Sequence, residues 1–357
     1  MSGTRERIDA GEVLIVTESR GFGVIGTGVW GETHLKTYST HPGAELVCIC
    51  DLDEQLVRQR AEQYGARCCW TTDYHELLER DDVHAVSVVT PDFLHREIAT
   101  AALEAGKHVL LEKPMATTVE DCEAMIAAAE ANGVTLMVDF HNRWNPAMWG
   151  IKQRIVSGEM GTPQMLTVRL NDTIYVPTEM LSWGGKSTVI WFLGSHAVDL
   201  VRWLFDDEIV RVYSVSRSRV LAERGVDTPD FFHTICELAG GGVAHIENCW
   251  IMSTEMPTVF DFKMEVIGSE GTAFVDASSH RMLQTYTPEG PSYPDVAVVT
   301  DIHGQPNGFG VQSIRHFADC VIEGREPVVT PADGLQNTRV LVAIHESART
   351  GDRKSVV

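Results

Sequence analysis

Two stretches of the sequence hold titratable side chains among apolar residues, and they are the first candidates for chemistry. The run VIWFLGSHAVDLVRWLF contains His196 and Asp199, and the run HVLLEKP ends in Glu112 and Lys113 before a proline. A histidine titrates near neutral pH without any shift of its pKa, so His196 is suited to moving a proton. Lys113 requires a pKa lowered by burial to do the same, or acts as a cation that stabilises an oxyanion.

The run VIWFLGSHAVDLVRWLF predicts a buried helix, with Gly194 near its start and apolar residues on nearly every side. At three-residue spacing, His196 and Asp199 share one face of that helix. The simpler interpretation is a core histidine whose hydrogen-bonding needs are met by the neighbouring carboxylate. In that interpretation Arg202 reaches the surface along its aliphatic stem.

The stretch GFGVIGTGVWGETHLKTY has the glycine pattern of a nucleotide-binding turn. A short apolar strand is followed by Gly26, Gly28 and Gly31 and then by a helix-forming segment. The first glycine permits the tight turn, the second lets the backbone approach a pyrophosphate, and the third lets the helix pack on the sheet. Amides at the helix N-terminus then bind the anion. Glycines also mark ordinary turns, so the pattern depends on its context.

An acidic residue stands where the second strand of such a unit ends. The run ELVCICDLD leads to Asp51, whose carboxylate can accept hydrogen bonds from both ribose hydroxyls of the adenosine. The same carboxylate would repel a 2′-phosphate, and Leu52 rather than an arginine follows it. The sequence therefore favours NAD over NADP. The alternative is that Asp51 caps the next helix, a role for which Asp53 is an equal candidate.

The order of the predicted elements is that of an α/β fold with a doubly wound parallel sheet. Strands alternate with helices up to about Arg143, and the runs VSVVT and HVLL are apolar enough for strands buried on both faces. Ligands of such sheets bind at the carboxyl ends of the strands, where Thr90, Pro91 and the EKP tripeptide lie. The predicted helices are 54–64, 95–104 and 119–132.

Length, composition and charge exclude several classes of protein. A chain of 357 residues exceeds the usual size of one hydrophobic core, so about two domains are expected. The net charge of −21, from 29 basic and 50 acidic residues, argues against nucleic acid or an anionic membrane surface as a partner. The N-terminal VLIV run is too short for a signal peptide or a transmembrane span, which predicts a cytoplasmic location.

The eight cysteines are interpreted as buried thiols. Cys48 and Cys50 lie inside an apolar strand-like run, which is typical of small buried side chains in a reducing compartment. The cysteines form no CxxC pair and no zinc-binding spacing, so no metal is expected.

After Arg143 the alternation of strands with helices stops, and apolar-polar alternation indicates antiparallel strands. The segments PQMLTVRLND, FFHTICELAGGGVAHIENCW and DFKMEVIGSEGTAFVD contain these strands, with hairpin turns at 240–242 and 269–271. An open, mostly antiparallel sheet has one face to cover. The second half is therefore predicted to be an α+β unit built on such a sheet.

These patterns divide the chain into three parts. Residues 1–20 are an N-terminal extension, residues 21–143 an NAD-binding Rossmann domain, and residues 144–357 a substrate and oligomerisation domain. The final helix, from about Ala332 to Arg349, is expected to pack back on the Rossmann domain.

Several motifs together resemble one family of oxidoreductases. GVIGTG, TPDFLH, ALEAGKHVLLEKPMA and EGREPVVTPADGL match motifs of the glucose-fructose oxidoreductase and inositol dehydrogenase family, known as Gfo/Idh/MocA. The resemblance spans the chain from about Gly21 to its C-terminus. It implies NAD as cofactor, a small sugar or polyol as substrate, and a homodimer or homotetramer formed through the open face of the C-terminal sheet.

The resemblance also implies roles for individual residues. In the family, the histidine of a D-x-x-x-H motif on this helix touches the substrate beside the EKP lysine, which assigns catalysis to His196 and Lys113. Phe192 stands four residues before His196, so the aspartate of the motif is absent. The cofactor-binding residues expected are Gly26, Thr27, Gly28, Trp30, Gly31, Asp51, Thr90, Pro91, His95, Glu112 and Lys113.

Substrate contacts are expected near the ends of predicted strands and on the buried helix. Asn171, Asp172 and Tyr175 end a strand that is expected to face the cleft, and aromatic side chains such as Trp183 and Trp191 are suited to the C–H face of a sugar. The predicted substrate-binding residues are Arg143, Asn171, Tyr175, Phe192 and Asp199.

The sequence thus predicts an NAD-dependent oxidoreductase that transfers hydride between nicotinamide and a secondary hydroxyl or ketone of a sugar, inositol or related polyol. One alternative is an enzyme that retains NAD and regenerates it in each turnover, by transfer between two sugars or by glycoside cleavage through a transient ketone. Another is an NAD-binding regulatory protein that lost catalysis when Phe192 arrived. The presence of Lys113 and His196 argues against this last alternative.

Overall fold

The N-terminal half of the computed structural model is a six-stranded parallel sheet whose strands alternate with helices. The structure describes residues 19–64, 69–278 and 282–356. The predicted doubly wound fold is confirmed, and the three predicted helices have the predicted bounds. The elements are β1 (Arg20–Ile25), α1 (Gly31–Thr40), β2 (Ala44–Cys50), α2 (Glu54–Tyr64), β3 (Cys69–Thr71), α3 (Tyr74–Leu78), β4 (Ala85–Val88), α4 (His95–Glu104), β5 (His108–Leu111), α5 (Val119–Asn132) and β6 (Leu136–Val138).

The strand order β3-β2-β1-β4-β5-β6 fixes where a ligand can bind. The chain runs outward from β1 in one direction and then returns to add β4 on its other side. In register, Ile25 at the end of β1 lies opposite Cys50 of β2 and Val88 of β4. The loops that follow these three strands therefore meet at one edge, which is the crevice where doubly wound sheets bind nucleotides.

The second half of the chain forms a seven-stranded mixed sheet covered on one face by helices, in the order β12-β11-β7-β10-β9-β8-β17. Only the pair β7 and β10 is parallel, so the predicted mostly antiparallel sheet is confirmed. Its elements are α6 (Pro146–Val156), β7 (Pro163–Asp172), α7 (Ser195–Phe205), β8 (Ile209–Arg217), β9 (Phe231–Leu238), β10 (Val243–Cys249), β11 (Phe260–Gly268), β12 (Thr272–Asp276), β13 (Thr285–Thr287), β14 (Gly290–Ser292), β15 (Thr300–Ile302), β16 (Gln305–Asn307), α8 (Phe309–Glu323), α9 (Pro331–Thr350) and β17 (Lys354–Ser355).

The last two long helices connect the halves. The α8 side chains Ile314, Phe317 and Ala318 lie in the hydrophobic core of the first sheet, where the Phe317 ring is 6.4 Å from that of Phe22. Helix α9 contacts both halves, since Leu335 packs against the first core and Leu341 and Ile344 lie in the second. No helix of the described segments is both long and apolar enough to cross a membrane.

Hydrogen bonds place α9 between the two sheets. Thr338 Oγ1 donates to the carbonyl of Ala116 over 3.3 Å, and Asn337 Nδ2 donates to the carbonyl of Ser195 over 2.8 Å. The helix begins at a capping box, in which Thr330 and Asp333 each bond the backbone amide of the other. These contacts hold the start of α7 against the first half of the chain.

The expectation of free thiols is wrong for Cys48. The structure pairs it with Cys69 in a disulfide, with 4.4 Å between their Cα atoms. The reason is β3, a three-residue strand that the sequence analysis did not predict and that lies beside β2 with these two residues in register. Cys50 is a free, buried thiol as expected. Of the predicted N-terminal extension, residues 1–18 lie outside the described residues, and Arg20 already belongs to β1.

Candidate active site

The turn between β1 and α1 has the shape that a pyrophosphate requires. Gly26 has φ +93°, and a Cβ atom there would overlap the carbonyl of Val89. A Cβ atom on Gly31 would overlap the carbonyl of Gly26, whereas the Cβ position of Gly28 has no atom within 4 Å. The outer two glycines thus permit close packing, and the middle one leaves open space beside the N-terminus of α1. The turn therefore fits the pyrophosphate of a dinucleotide.

Asp51 lies at the end of β2, beside this turn. Its Oδ2 accepts hydrogen bonds from the amide and hydroxyl of Thr27, at 2.7 and 3.0 Å, and its Oδ1 accepts one from the Asp53 amide at 3.1 Å. Asp53 Oδ1 accepts a hydrogen bond from the Leu56 amide and so caps α2. The structure therefore separates the two acidic residues: Asp53 is the cap, and Asp51 holds the turn at the place where an adenosine ribose would lie.

His95 connects the loops that follow β4 and β5. One ring nitrogen lies 2.9 Å from the carbonyl of Thr90 and the other 2.8 Å from the carbonyl of Pro114. The Thr90 hydroxyl is buried without a hydrogen-bond partner in the described part of the chain, which leaves it available to a ligand. His95 is buried and contacts backbone on both sides, so it positions Thr90 and the EKP loop.

Glu112 lies below the cleft and bonds to α1 and its N-terminal turn. The indole of Trp30 donates to its Oε1 over 2.7 Å, and His34 Nε2 lies 3.4 Å from the same oxygen. Burial raises the pKa of Glu112, but a hydrogen bond and positive charge from His34, with the charge of Lys113, outweigh it and hold the pKa at about 2. Glu112 is thus an anion next to Lys113, and the half-buried Trp30 is fastened to it by its indole.

Asp139, at the end of β6, completes a buried acidic cluster with Glu112. Burial and the negative charge of Glu112 raise the pKa of Asp139 well above its usual range. One potential metal-ligating atom from each of His34, Glu112 and Asp139 lies within 4.8 Å of the other two. His34 Nδ1 is bonded to the Ser87 hydroxyl at 2.9 Å, and Glu112 to Trp30. His34 Nε2 and both carboxyl oxygens of Asp139 are buried without a hydrogen-bond partner among the described residues, and the absence of a metal stays a prediction.

Lys113 projects from the end of β5 toward the turn that precedes α7. Its Nζ donates to the carbonyl of Phe192 over 3.0 Å and lies 4.3 Å from the centre of the Phe192 ring. Burial lowers the pKa of Lys113, while the carboxylates of Glu112 and Asp92 partly oppose the shift. The alternative of a simple pair with Glu112 is not what the structure shows, because the ammonium bonds to Phe192.

His196 lies one turn beyond Phe192, on α7. Its Nδ1 is buried without a hydrogen-bond partner among the described residues, and its ring centre is 4.6 Å from that of His141. Burial and the positive potentials of His141 and Lys113 lower the pKa of His196 well below its usual value. The expectation that His196 titrates near neutrality without tuning is therefore wrong, and the imidazole is neutral at physiological pH.

The simpler interpretation of His196 also fails, because its presumed carboxylate partner bonds elsewhere. Asp199 accepts two hydrogen bonds from Arg143, at 2.6 and 3.0 Å, and Arg143 also lies 3.0 Å from Asp333 of α9. Arg202 is buried and bonded to Glu208, not extended to the surface as expected. These ion pairs fasten α7 to the segments around it.

This arrangement corrects the expected substrate contacts of Arg143 and Asp199. Both groups use their hydrogen-bonding capacity on each other, and Asp199 is only 1% exposed. Arg143 and Asp199 pair across 56 positions of the sequence, and no local pattern indicates such a contact.

Strand β7 corrects another expected contact. Asn171 donates to Glu247 over 2.7 Å on the face of the sheet that carries Arg169, away from the helices. Side chains alternate along a strand, so Asp172 shares the other face with Leu170 of the core that packs on α7. The expectation that Asn171 faces the cleft is therefore wrong, because the next residue, Asp172, lies on the face that packs against the helices.

The remaining predicted residues do not all lie beside Lys113: Phe192 does, Trp191 lies in the core, and Tyr175 lines a cavity whose lining includes neither Lys113 nor His196. The centre of the Phe192 ring lies 6.2 Å from that of Trp183 and 5.7 Å from that of Trp250. Trp191 instead stacks on His345 of α9 and belongs to the core. Tyr175 lines a cavity of about 460 Å³ together with Thr173, Thr258, Phe260, Tyr293 and Asp295.

The sequence analysis gave no role to His34, Ser87, Asp139 or Trp250. Asp139 had a usable signal, since it follows the last parallel strand and so lies at the ligand-binding edge of the sheet. His34 is three residues past the last glycine of the turn, on the helix face that packs against the sheet. The Trp250 indole bonds to Asp172 over 3.2 Å, a contact between two strands that no local pattern indicates.

The fold and the site together define an NAD-binding oxidoreductase. A glycine turn open at Gly28, a ribose-side carboxylate at Asp51 and an unpartnered Thr90 hydroxyl lie at one sheet edge, with Lys113 at the end of β5. The family model described as "Oxidoreductase family, NAD-binding Rossmann fold" matches residues 20–140. The model of the C-terminal alpha/beta domain of the same oxidoreductase family matches residues 152–356. The chain belongs to the Gfo/Idh/MocA family.

Known relatives cover nearly the whole chain. It is 30% identical to scyllo-inositol 2-dehydrogenase (NAD(+)) of Bacillus subtilis over 331 residues, which is 92% of this chain and 94% of that protein. The structure of GenD2 from gentamicin A biosynthesis, in complex with NAD, matches with a TM-score of 0.82 at 26% identity over 95% of this chain and 97% of that one. An oxidoreductase domain protein of Kribbella flavida matches with a TM-score of 0.80 at 30% identity, over 95% and 100%.

Proposed function

We propose that the protein oxidises a secondary hydroxyl of an inositol or related polyol, or reduces the matching ketone, with NAD as the hydride carrier. The observation that carries this proposal is the contact between Lys113 and the Phe192 turn, which brings the EKP loop of the first sheet against the helix that holds His196. The inositol specificity of the Bacillus subtilis relative supports the substrate class.

Each residue of the cleft has a defined task in this reaction. The Gly26 to Gly31 turn and Asp51 hold the cofactor, which supplies a hydride acceptor when it is bound. Lys113 binds the reacting oxygen and stabilises the negative charge that develops as the hydroxyl proton leaves. His196 accepts a hydrogen bond from the hydroxyl and relays its proton. Because the pKa of His196 is low, this relay needs a further group to retain the proton.

Two of the predicted substrate contacts take a different role in this proposal. Arg143 and Asp199 act as positioning residues, because their ion pair fixes the helix on which His196 lies. Phe192 remains a substrate contact, since its ring lies against the Lys113 ammonium.

Asp51 is expected to set the affinity and the choice of cofactor. The Asp51→Ala variant removes the acceptor for the ribose hydroxyls, and a hydrogen bond to a charged group contributes roughly 1.5–3 kcal/mol. We therefore expect the Kd for NAD to rise by about tenfold to a hundredfold, with a smaller change for NADP. Titration of both nucleotides by calorimetry measures this. Asp53→Ala, which removes only the cap of α2, is the matched control, and an equal loss in both variants would contradict the assignment.

The substrate class is tested by NADH formation with a panel of inositols, aldoses, sugar acids and glycosides. We expect turnover with inositols and NAD. The supernatant of heat-denatured protein is examined for released cofactor, because bound NAD without NADH formation would favour the enzyme that regenerates its cofactor. NAD binding without turnover on any compound, and without retained cofactor, would instead favour a regulatory protein.

The open face of the second sheet supports a homo-oligomer. Exposed apolar side chains lie on this face, away from the helices: Met165, Tyr213, Ile235, Val243, Ile267 and Phe274. A contiguous apolar surface of this kind is typical of an interface. We expect a dimer or tetramer by light scattering, and we expect Ile235→Glu to dissociate it. Val328→Glu, at an exposed apolar residue outside the sheet, is the control that should leave the mass unchanged.

We assign a separate binding role to each of the two halves of the chain. In our proposal residues 21–143 bind the cofactor and residues 144–357 bind the substrate and the partner subunit. A cytoplasmic location stays a prediction from the sequence.

A further inference from the structure

The pKa values of several described groups near Lys113 and His196 do not suit them to retain the hydroxyl proton at neutral pH. Burial lowers the pKa of His141 to about 4 and that of His196 well below its usual value. The pKa of Glu112 is held at about 2, and burial raises the pKa of Asp139, which lies beside Glu112, well above its usual range. A proton acceptor is most effective when its pKa lies near the working pH. The two histidines and Glu112 do not meet that condition.

Asp172 is a further carboxyl group close to Lys113, and it has no role in the reaction as proposed above. It is the last residue of β7 and is 4% exposed, on the sheet face that packs against α7. Its Oδ2 accepts a hydrogen bond from the Trp250 indole at 3.2 Å. In the described part of the chain Oδ1 has no hydrogen-bond partner and is not one of the fully buried unpartnered atoms, so it is the oxygen of this carboxyl group that a ligand can reach.

A continuous set of contacts joins Asp172 to Lys113. Trp250, which bonds Asp172, has its ring centre 5.7 Å from that of Phe192, and the Phe192 ring lies 4.3 Å from the Lys113 ammonium. The charges of Lys113 and Asp172 also act directly on each other, so the carboxyl group at the end of β7 lies near the ammonium at the end of β5.

The surroundings of Asp172 match the task. Burial raises its pKa to about 7, against the hydrogen bond from Trp250 and the positive charge of Lys113. Among the described residues, two titratable groups interact electrostatically with Asp172. They are Lys113 at the end of β5 and the Cys249 thiol at the end of β10. The Cys249 thiol has a raised pKa because of burial, so it stays neutral and leaves Lys113 as the main electrostatic partner.

We propose that Asp172 is a catalytic residue whose free carboxylate oxygen accepts the proton of the substrate hydroxyl held by Lys113. The inference rests on the proposed function. In the oxidation, the substrate O–H bond breaks, His196 relays the proton, and an O–H bond forms on Asp172. The C–H bond breaks with its electron pair, which leaves as hydride to the oxidised nicotinamide, and the C–O bond becomes C=O. In the reduction Asp172 returns the proton to the oxygen.

The first test compares Asp172→Asn with a carboxyl-to-amide change on the opposite face of the same sheet. We expect Asp172→Asn to lower kcat about a hundredfold or more while the Kd for NAD stays within about twofold, because a lost proton acceptor affects the chemical step. Glu247→Gln removes a carboxylate that faces Asn171 and is expected to retain the wild-type kcat. An Asp172→Asn variant with kcat within about threefold of an active wild type would overturn the role of Asp172 but not the proposed function.

A second measurement needs no substrate and no cofactor. The folded protein keeps the proton on Asp172 up to about pH 7, whereas the unfolded chain releases it near pH 4, so the folded state loses stability as the pH rises between these values. Relative to wild type, the Tm of Asp172→Asn is therefore expected to be higher at about pH 8 than at about pH 5. A Tm difference that does not change with pH would show an ordinary carboxylate and overturn the proposal. Wild type that oxidises no polyol would overturn the proposed function and with it the catalytic role of Asp172, even if this pH-dependent difference is present.

Discussion

Replacing Lys113 by methionine is expected to abolish most of the turnover while the protein keeps its fold. Methionine retains the aliphatic length that packs under Phe192 but removes the ammonium. The substrate oxygen then loses both its hydrogen-bond donor and the charge that stabilises the developing alkoxide. Loss of one such group in a water-poor site costs about a hundredfold to a thousandfold in kcat. The measurement is kcat for NADH formation from an inositol at saturating substrate and NAD.

The control for this variant is Lys107→Met. Lys107 donates to the carbonyl of Arg80 at the opposite end of the parallel sheet, so its loss should leave kcat unchanged. NAD binding by Lys113→Met is measured separately, because Lys113 was also assigned to the cofactor. A Lys113→Met variant with kcat within about threefold of wild type would contradict the assignment of Lys113, since even a modest acid-base or electrostatic role exceeds that effect.

The second large effect is expected on stability, from Arg143→Met. This change leaves Asp199 buried at 1% exposure and without the two hydrogen bonds from Arg143. The remaining positive charge that acts on Asp199 is that of Arg202. Breaking a buried ion pair by removing one partner costs about 3–5 kcal/mol in the free energy of unfolding. Chemical denaturation of the cofactor-free protein measures this loss. The same variant should lower kcat, because α7 carries His196.

Two comparisons make the stability result specific. Arg143→Met combined with Asp199→Asn removes both charges, so it should recover part of the lost free energy. Arg58→Met breaks a pair with Glu54 in which both side chains are more than half exposed, and should cost less than about 1 kcal/mol. An Arg143→Met variant as stable as Arg58→Met would mean that the buried pair contributes little to holding α7.

The parts of this molecule that the sequence predicted are those encoded by local chemistry. The strand, glycine turn and helix of residues 22–40 follow from apolar runs and from glycines where a side chain would overlap backbone. The bounds of α2, α4 and α5 follow from helical periodicity. Lys113 and Asp51 were located because each ends a strand, and strand ends meet at one edge of a parallel sheet.

The parts that escaped prediction depend on contacts between distant segments. Asn171 and Asp172 are adjacent in sequence, and successive side chains of a strand lie on opposite faces of the sheet. Which of the two faces the helices depends on how β7 pairs in the folded sheet. The pKa of His196 depends on His141, which arrives from the other half of the chain. The pairing of Cys48 with Cys69 required β3, a strand too short to show a periodicity.

The position of α8 has a consequence for how the chain is made. Phe317 and Ile314 fill the core of the first sheet, next to Phe22, yet they are synthesised nearly three hundred residues later. On the ribosome, domains usually fold in the order in which they emerge. Here the first sheet leaves the exit tunnel with part of its apolar face exposed until α8, in the last seventh of the chain, is synthesised. Completion of the nucleotide-binding half is therefore expected to be a post-translational event, during which that face is a natural target for chaperones.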